Sequence, residues 1–164
     1  MKIKECEIKI RTLEAEKAGL NIDESQRYDE INKEIMELKK EAYSNLEPWD
    51  RVYLARHQDR PKASDYISLL IDDFYGDDNA LIGGIGTFKG IPVTVLAQAK
   101  GKTLEENLKR NFGMMNPEGY RKALRLAKEA EKFHRPIINI VDTAGAYPGK
   151  GAEERGQAEA IAKC

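Results

Sequence analysis

Residues 136–163 read PIINIVDTAGAYPGKGAEERGQAEAIAK, and no other stretch constrains the fold as tightly. An apolar run (Ile137, Ile138, Ile140, Val141) ends in Asp142 and Thr143. A loop rich in glycine and proline follows: Gly145, Ala146, Tyr147, Pro148, Gly149, Lys150, Gly151. The apolar run predicts a strand covered on both faces. The Ala/Glu/Gln-rich segment that begins near Ala152 predicts a helix. Strand, glycine loop and helix in that order direct free backbone N–H groups and a positive helix end toward one place, which suits an anion or a developing oxyanion.

Two other readings of the loop compete. One is an ordinary strand-to-helix connection. The other is a nucleotide hydrolase, because an apolar strand followed by DTAG looks like a GTPase metal loop. A phosphate loop requires GxxxxGK[ST] after a strand. Here Gly145 to Gly149 is one residue short, and Gly151 stands where the metal-binding hydroxyl belongs. Gly101-Lys102-Thr103 comes nearer, but Leu96 occupies the position of the required glycine. Tight Mg²⁺-dependent nucleotide binding would mark that reading.

The first 47 residues have a different character. Ile3, Cys6, Ile10 and Leu13 recur at spacings of three and four, and the stripe resumes as Tyr28, Ile31, Ile35, Leu38 and Ala42. Such a pattern predicts amphipathic helices, stopped at Gly19 and restarted by an Asp23/Gln26 capping box. An antiparallel hairpin over 1–47 is expected, serving either as a packing appendage or as a docking surface for a partner. Pro48 opens a further helix with Trp49, Val52 and Tyr53 facing inward. Ser64 or Asp65 caps the next, which carries Tyr66, Leu69, Leu70 and Phe74. Residues 76–79 read as a loop. Strands follow at 80–88 and 91–99, joined by a tight turn at Lys89-Gly90. Gly83 and Gly84 within the first strand mark a bulge or a close backbone approach. Thr103 caps a short helix that includes Leu104 and Leu108. Asn116-Pro117 opens a long one, with Tyr120, Ala123, Leu124, Ala127 and Ala130 buried. Its Arg121, Lys122, Arg125 and Lys128 form a wet face, either merely solvated or in contact with coenzyme phosphates. The element order is that of an α/β protein.

Composition narrows the functional classes. The chain has 164 residues, with 27 basic and 28 acidic side chains giving a net charge of −1, so it carries no electrostatic footprint for nucleic acid. No stretch approaches the ~20 apolar residues of a membrane span, and MKIKECEIKIR lacks a signal-peptide core. Cys6 and Cys164 form no CxxC pair, and no metal site is expected. His57 and His134 stand isolated, solvated or satisfied by the backbone. No Ser/His/Asp or Cys/His constellation can be assembled. The expected setting is the cytoplasm.

Three strings occur as an ordered set: IGGIGTFKGIPVTVLAQAKGK (82–102), RNFGMMNPEGYRKALRLAKEAEKFHRPII (110–138) and the loop above. With PWDRVYLARHQDRPKASDYI (48–67), they closely resemble the alpha subunit family of the bacterial and plastid acetyl-CoA carboxylase carboxyltransferase. The chain departs from the usual family pattern at Ala144, where proline is common, and at Ile85-Gly86, where Ile-Ala is common. The resemblance implies a crotonase-like (ClpP/crotonase) fold over 48–164, incomplete at the C-terminus and preceded by the N-terminal hairpin. Family members continue well past Cys164, and a Gly-Gly loop supplying oxyanion donors is expected there; no catalytic residue is identifiable in this stretch.

The resemblance also implies an activity. Carboxyl transfer runs from carboxybiotin, held on a biotin carboxyl carrier protein, to acetyl-CoA, giving malonyl-CoA for fatty acid biosynthesis. A beta subunit with a zinc ribbon supplies the coenzyme A side; biotin carboxylase completes the complex, and the full-length subunit forms an α2β2 assembly. Thr143, Gly145, Ala146, Tyr147, Gly149 and Gly151 are then the candidate biotin-facing residues, and Gly83 and Gly84 are candidates for close backbone approach. Tyr147 either fences the ureido ring or packs under its own loop. A catalytically inert assembly or regulatory fragment, docked on the beta subunit, is the alternative.

Overall fold

The computed structural model describes residues 2–77 and 80–164. It divides into two units, Met1–Arg60 and Pro61–Cys164.

In the first unit, α1 (Lys2–Ala18) and α2 (Ser25–Ser44) pack along the apolar stripe. Ile10, Ile31 and Ile35 form its core, with Leu13, Leu20 and Leu38 around them. Tyr28 leaves the stripe: it is exposed, with Lys17 Nζ 4.7 Å from its ring centroid. The capping pair also differs from the expectation. Asn21 N–H donates to Glu24 Oε2 (2.8 Å), so Asn21 and Glu24, not Asp23 and Gln26, close the turn after Gly19. α3 (Pro48–Ala55) belongs to this unit. Trp49 does not face inward; it is 73% exposed, because Asp50 takes the buried side and accepts the Glu47 N–H at 3.2 Å. His57 is engaged: its Nδ1 accepts the Asp59 N–H (3.2 Å), and its Nε2 lies 3.4 Å from Glu7.

The second unit opens with α4 (Ala63–Leu70), where the Asp65 carboxylate accepts the Lys62 N–H at 2.9 Å. The helix stops before Phe74, contrary to expectation, because Ile71 is already extended and Asp72 pairs with Thr87. Phe74 and Gly76 therefore lie in β1 (Asp72–Asp77), and the remainder of the expected loop, residues 78 and 79, is outside the described residues. β2 (Leu81–Phe88) and β3 (Ile91–Gln98) form a hairpin. Lys89 and Gly90, with φ of 49° and 79°, supply the two left-handed residues that match strand twist. α5 (Leu104–Lys109) is capped by Thr103, whose hydroxyl accepts the Glu106 N–H. α6 (Pro117–Lys132) leads to β4 (Ile137–Ile140), which pairs parallel to β3. The sheet order is β1-β2-β3-β4.

Two apolar clusters hold this unit. Ala63, Ile67, Ile71, Ile82, Val93, Val95, Ala97 and Ala99 form the larger. Ala80, Leu81, Leu96, Met115, Ala123 and Leu126 form the second. Leu126 rather than Leu124 is buried on α6, so its inner stripe is rotated from the expected one. Lys122 is half-buried instead of wet, its Nζ donating to the Leu81 carbonyl at 2.9 Å. β4 is not covered on both faces. It lies at the sheet edge, with Ile137 exposed and Val141 just beyond it 71% exposed.

Gly83 and Gly84 are sites of close approach, and their neighbours are the protein's own. A Cβ on Gly83 would lie 2.7 Å from Leu126 Cδ1; one on Gly84 would lie 2.3 Å from the Tyr75 carbonyl oxygen. The bulge itself falls in β1, between Asp72 and Tyr75, where Asp73 has φ 50°.

Candidate functional site

The glycine loop leaves the C-terminal end of β4 and runs over residues 141–149. The single helix expected after it is broken into α7 (Lys150–Glu154) and α8 (Gln157–Lys163). Gly156 makes the break, with φ 80° and ψ 50°. With five residues, α7 has little macrodipole, so main-chain amides are the chief resource here.

Each loop residue has a definite place. The Thr143 hydroxyl donates to the Gly145 carbonyl (2.8 Å) and accepts the Gly145 N–H (3.1 Å), closing a local turn. Gly145 has φ 153°, a backbone that side chains disfavour, although open space surrounds the position of a Cβ. The Tyr147 N–H donates to the Met115 carbonyl at 3.1 Å. Its ring lies on Gly149, where a Cβ would come within 2.3 Å of Cε1. Tyr147 thus packs against its own loop. The Gly151 carbonyl accepts Arg155 Nη1 at 2.6 Å. The N–H groups of Ala146, Gly149, Lys150 and Gly151 find no acceptor among the described residues. Solvent-facing amides of this kind bond to water or to a bound group.

A second segment forms the support beneath. Asn111, Phe112 and Gly113 are three successive left-handed residues, with φ 47°, 55° and 78°. They bring Gly113 so close to β4's exit that a Cβ there would lie 2.6 Å from the Asp142 carbonyl oxygen. Lys100 Nζ sits 3.5 Å from the largely buried Asp142 carboxylate. Met115, two residues beyond Gly113, accepts both the Tyr147 N–H and the amide of the buried Gln157. A cavity of about 420 Å³ opens alongside, with Asn111, Met115, Asn116 and Lys122 in its wall.

Arg155 clamps the far end. Its guanidinium meets Glu118 (Nε to Oε1 2.8 Å) and Asn116 Oδ1 (3.4 Å), while its carbonyl accepts Arg121 Nη2. The Arg155 hydrogen bond holds the Glu118 carboxyl below its ordinary range, aided by a backbone N–H. Lys150 and Glu153 stay exposed; among the described residues Lys150 pairs with Glu154 at 3.5 Å. No group of three metal-ligating side chains occurs among the described residues.

Sequence reasoning missed Lys100, Gly113, Met115, Arg155 and Gln157. Gly113 carried a signal, since Asn-x-Gly invites a left-handed turn. Arg155 carried none, and Gln157 read only as a first-turn helix residue with a structural role. In the structure the two longest family-like motifs, NFGMMNPEGY and DTAGAYPGKGAEERGQ, hydrogen-bond to each other.

The whole chain, residues 1–164, matches the family model described as acetyl co-enzyme A carboxylase carboxyltransferase-like. The chain belongs to this family. The acetyl-coenzyme A carboxylase carboxyl transferase subunit alpha of Halalkalibacterium halodurans is 53% identical over 162 residues, covering 94% of this chain and 49% of that protein. The Listeria monocytogenes counterpart is 50% identical over 169 residues, covering 98% and 53%. The chain spans about half the length of the curated relatives it matches. Transcarboxylase 12S with methylmalonyl-coenzyme A bound aligns with a TM-score of 0.51 at 18% identity, over 69% of this chain and 24% of its own. The same enzyme with hydrolysed methylmalonyl-coenzyme A gives 0.51 at 17%, over 88% and 29%. This acetyl-CoA carboxylase carboxyltransferase-like chain thus shares its mixed α/β fold with a carboxyl-transferring enzyme, and its two interlocked motifs meet at the end of β4.

Proposed function

We propose that this chain is part of the alpha subunit of an acetyl-CoA carboxylase carboxyltransferase with a crotonase-like fold, and that residues 143–151 face the carboxyl donor. Carboxybiotin, delivered on a separate carrier protein, supplies the carboxyl group that passes to the methyl carbon of acetyl-CoA, giving malonyl-CoA. The observation that carries the reading is the solvent-facing loop whose amides at Ala146, Gly149, Lys150 and Gly151 lack acceptors while its ends are fixed.

These residues suit the ureido group of biotin by their chemistry. Its carbonyl oxygen gains negative charge as the carboxyl group departs, and it needs donors rather than a nucleophile. A fixed main-chain donor aimed at such an oxygen lowers the barrier by ~3–4 kcal/mol. Gly145, Gly149 and Gly151 lack a Cβ, which lets the backbone approach a planar ring closely. Thr143 keeps the turn closed. Tyr147, seated on Gly149, shields one side of the loop from water. The donors for the thioester oxygen belong to other segments of the assembled enzyme. The partners implied are a beta subunit, the biotin carboxyl carrier protein and biotin carboxylase, in a cytoplasmic α2β2 enzyme.

The test is reconstitution. Full-length protein mixed with a beta subunit, carboxylated carrier and acetyl-CoA is expected to form malonyl-CoA. Assembly without any transfer would favour an inert docking role, and Mg²⁺-dependent binding of guanine or adenine nucleotide in its place would overturn the family chemistry.

A further inference from the structure

Gln157 is a polar side chain taken out of water: it is 2% exposed at the first position of α8. Its amide nitrogen donates to the Met115 carbonyl at 3.0 Å and to the Tyr147 carbonyl at 3.1 Å. A primary amide has two N–H groups, and here both are used. The acceptors fix the amide's orientation, since only its NH₂ end can face two carbonyls. The consequence is that Oε1 is buried with no hydrogen-bond partner among the described residues. A side chain serving only to fill space would not carry that penalty.

The two acceptors lie on different segments. Met115 follows the left-handed turn at residues 111–113, and Tyr147 sits in the middle of the glycine loop. The Tyr147 N–H already donates to Met115, so Gln157 completes the fixation of both main-chain groups of Tyr147. Thr143 secures the loop's start and Arg155 its end. Between them, the tie at Tyr147 is the anchor of the span that carries the unpaired Ala146 and Gly149 amides. We infer that Gln157 is the positioning residue of this loop: it touches no substrate, and it sets where the main-chain donors stand. The inference rests on the reading of residues 143–151 as part of the reaction centre.

Gln157→Met keeps the length and volume of the side chain and removes both donors. Gln157→Glu keeps the shape and sets an acceptor oxygen against two carbonyls. Both are made in the full-length protein assembled with its partner subunit, and the Met variant alone decides if the Glu variant fails to fold. Hydrogen exchange of the Tyr147 amide, the loop N–H held by Met115, is expected to quicken at least tenfold in the Met variant, with β2 and β3 unchanged. In carboxyl transfer, kcat falls at least tenfold while KM for acetyl-CoA stays within twofold. Unchanged loop exchange would overturn the role of Gln157 and leave the loop's place in the site standing. Faster exchange throughout β2 and β3 would make Gln157 an ordinary core residue, again overturning the inference. A loosened loop with wild-type kcat would overturn both the inference and the reading beneath it.

Discussion

At the scale of single residues, the glycines separate into those fixed by packing and those with open space where a Cβ would stand. Gly84 is of the first kind, with the Tyr75 carbonyl oxygen 2.3 Å from where a Cβ would stand and Gly76 Cα at 2.6 Å. Backbone cannot swing away as a side-chain tip can, so Gly84→Ala is expected to destabilise the second unit by about 2–3 kcal/mol, read as a lower urea midpoint at unchanged slope. Gly145 is of the second kind, strained in φ but with nothing around it. The Glu118–Arg155 pair predicts a pH effect. The folded pKa of Glu118 lies below its ordinary value near 4.5, so the stabilisation is complete above that value and is lost as pH falls through the folded pKa. Protection from hydrogen exchange at residues 152–156, relative to the intrinsic rate at each pH, should therefore fall below about pH 4.5, and Glu118→Gln should lower it at neutral pH and remove the dependence. Both side chains are about half exposed, so the effect is modest and weakens in salt. Part of this scale was legible in the sequence: Gly83 and Gly84 announced a bulge or a close approach because a strand interior otherwise disfavours glycine, and the structure shows the approach there and the bulge in β1. Trp49 was not, since hydrophobicity names a residue's preference and not which side of a short helix Asp50 takes.

At the scale of elements, the turn residues were legible and the breaks were not. Lys89-Gly90 gave the β2–β3 hairpin its register, and Asn116-Pro117 gave α6 its start. Phe74 was misread because an apolar periodicity of three or four residues fits a helix until pairing with β2 decides otherwise. The break between α7 and α8 depends on Gly156, one glycine in a run of good helix formers. Its left-handed φ costs any other residue about 1–2 kcal/mol. Gly113 is held more severely, left-handed and with the Asp142 carbonyl oxygen at 2.6 Å from a Cβ position. Gly113→Ala is expected to destabilise by about 2–4 kcal/mol, the backbone strain and the clash together. Hydrogen exchange should place the loss at residues 110–115 and 141–149 and spare the β2–β3 hairpin. An evenly spread loss would show that the left-handed turn does not support the loop.

At the scale of the whole molecule, the order of motifs carried the family and the contacts between them carried the site. The strand-loop-helix segment was visible in the sequence. Its dependence on Met115 was not, because that tie joins residues far apart in the chain through a backbone carbonyl that no side-chain pattern reports. The claim on which the functional account stands is that main-chain amides of residues 143–151, not a side-chain nucleophile, act on the departing carboxyl group's former carrier. The most direct measurement is carboxyl transfer by the full-length, assembled protein carrying Gly145→Val or Gly149→Val. The first forces a side chain onto a φ of 153°, and the second drives into the Tyr147 ring. Loss of one fixed donor typically costs 10²–10³ in kcat. A fall of about a hundredfold or more in each variant, with assembly and unfolding midpoint retained, is the predicted result; wild-type rates in both would contradict the account.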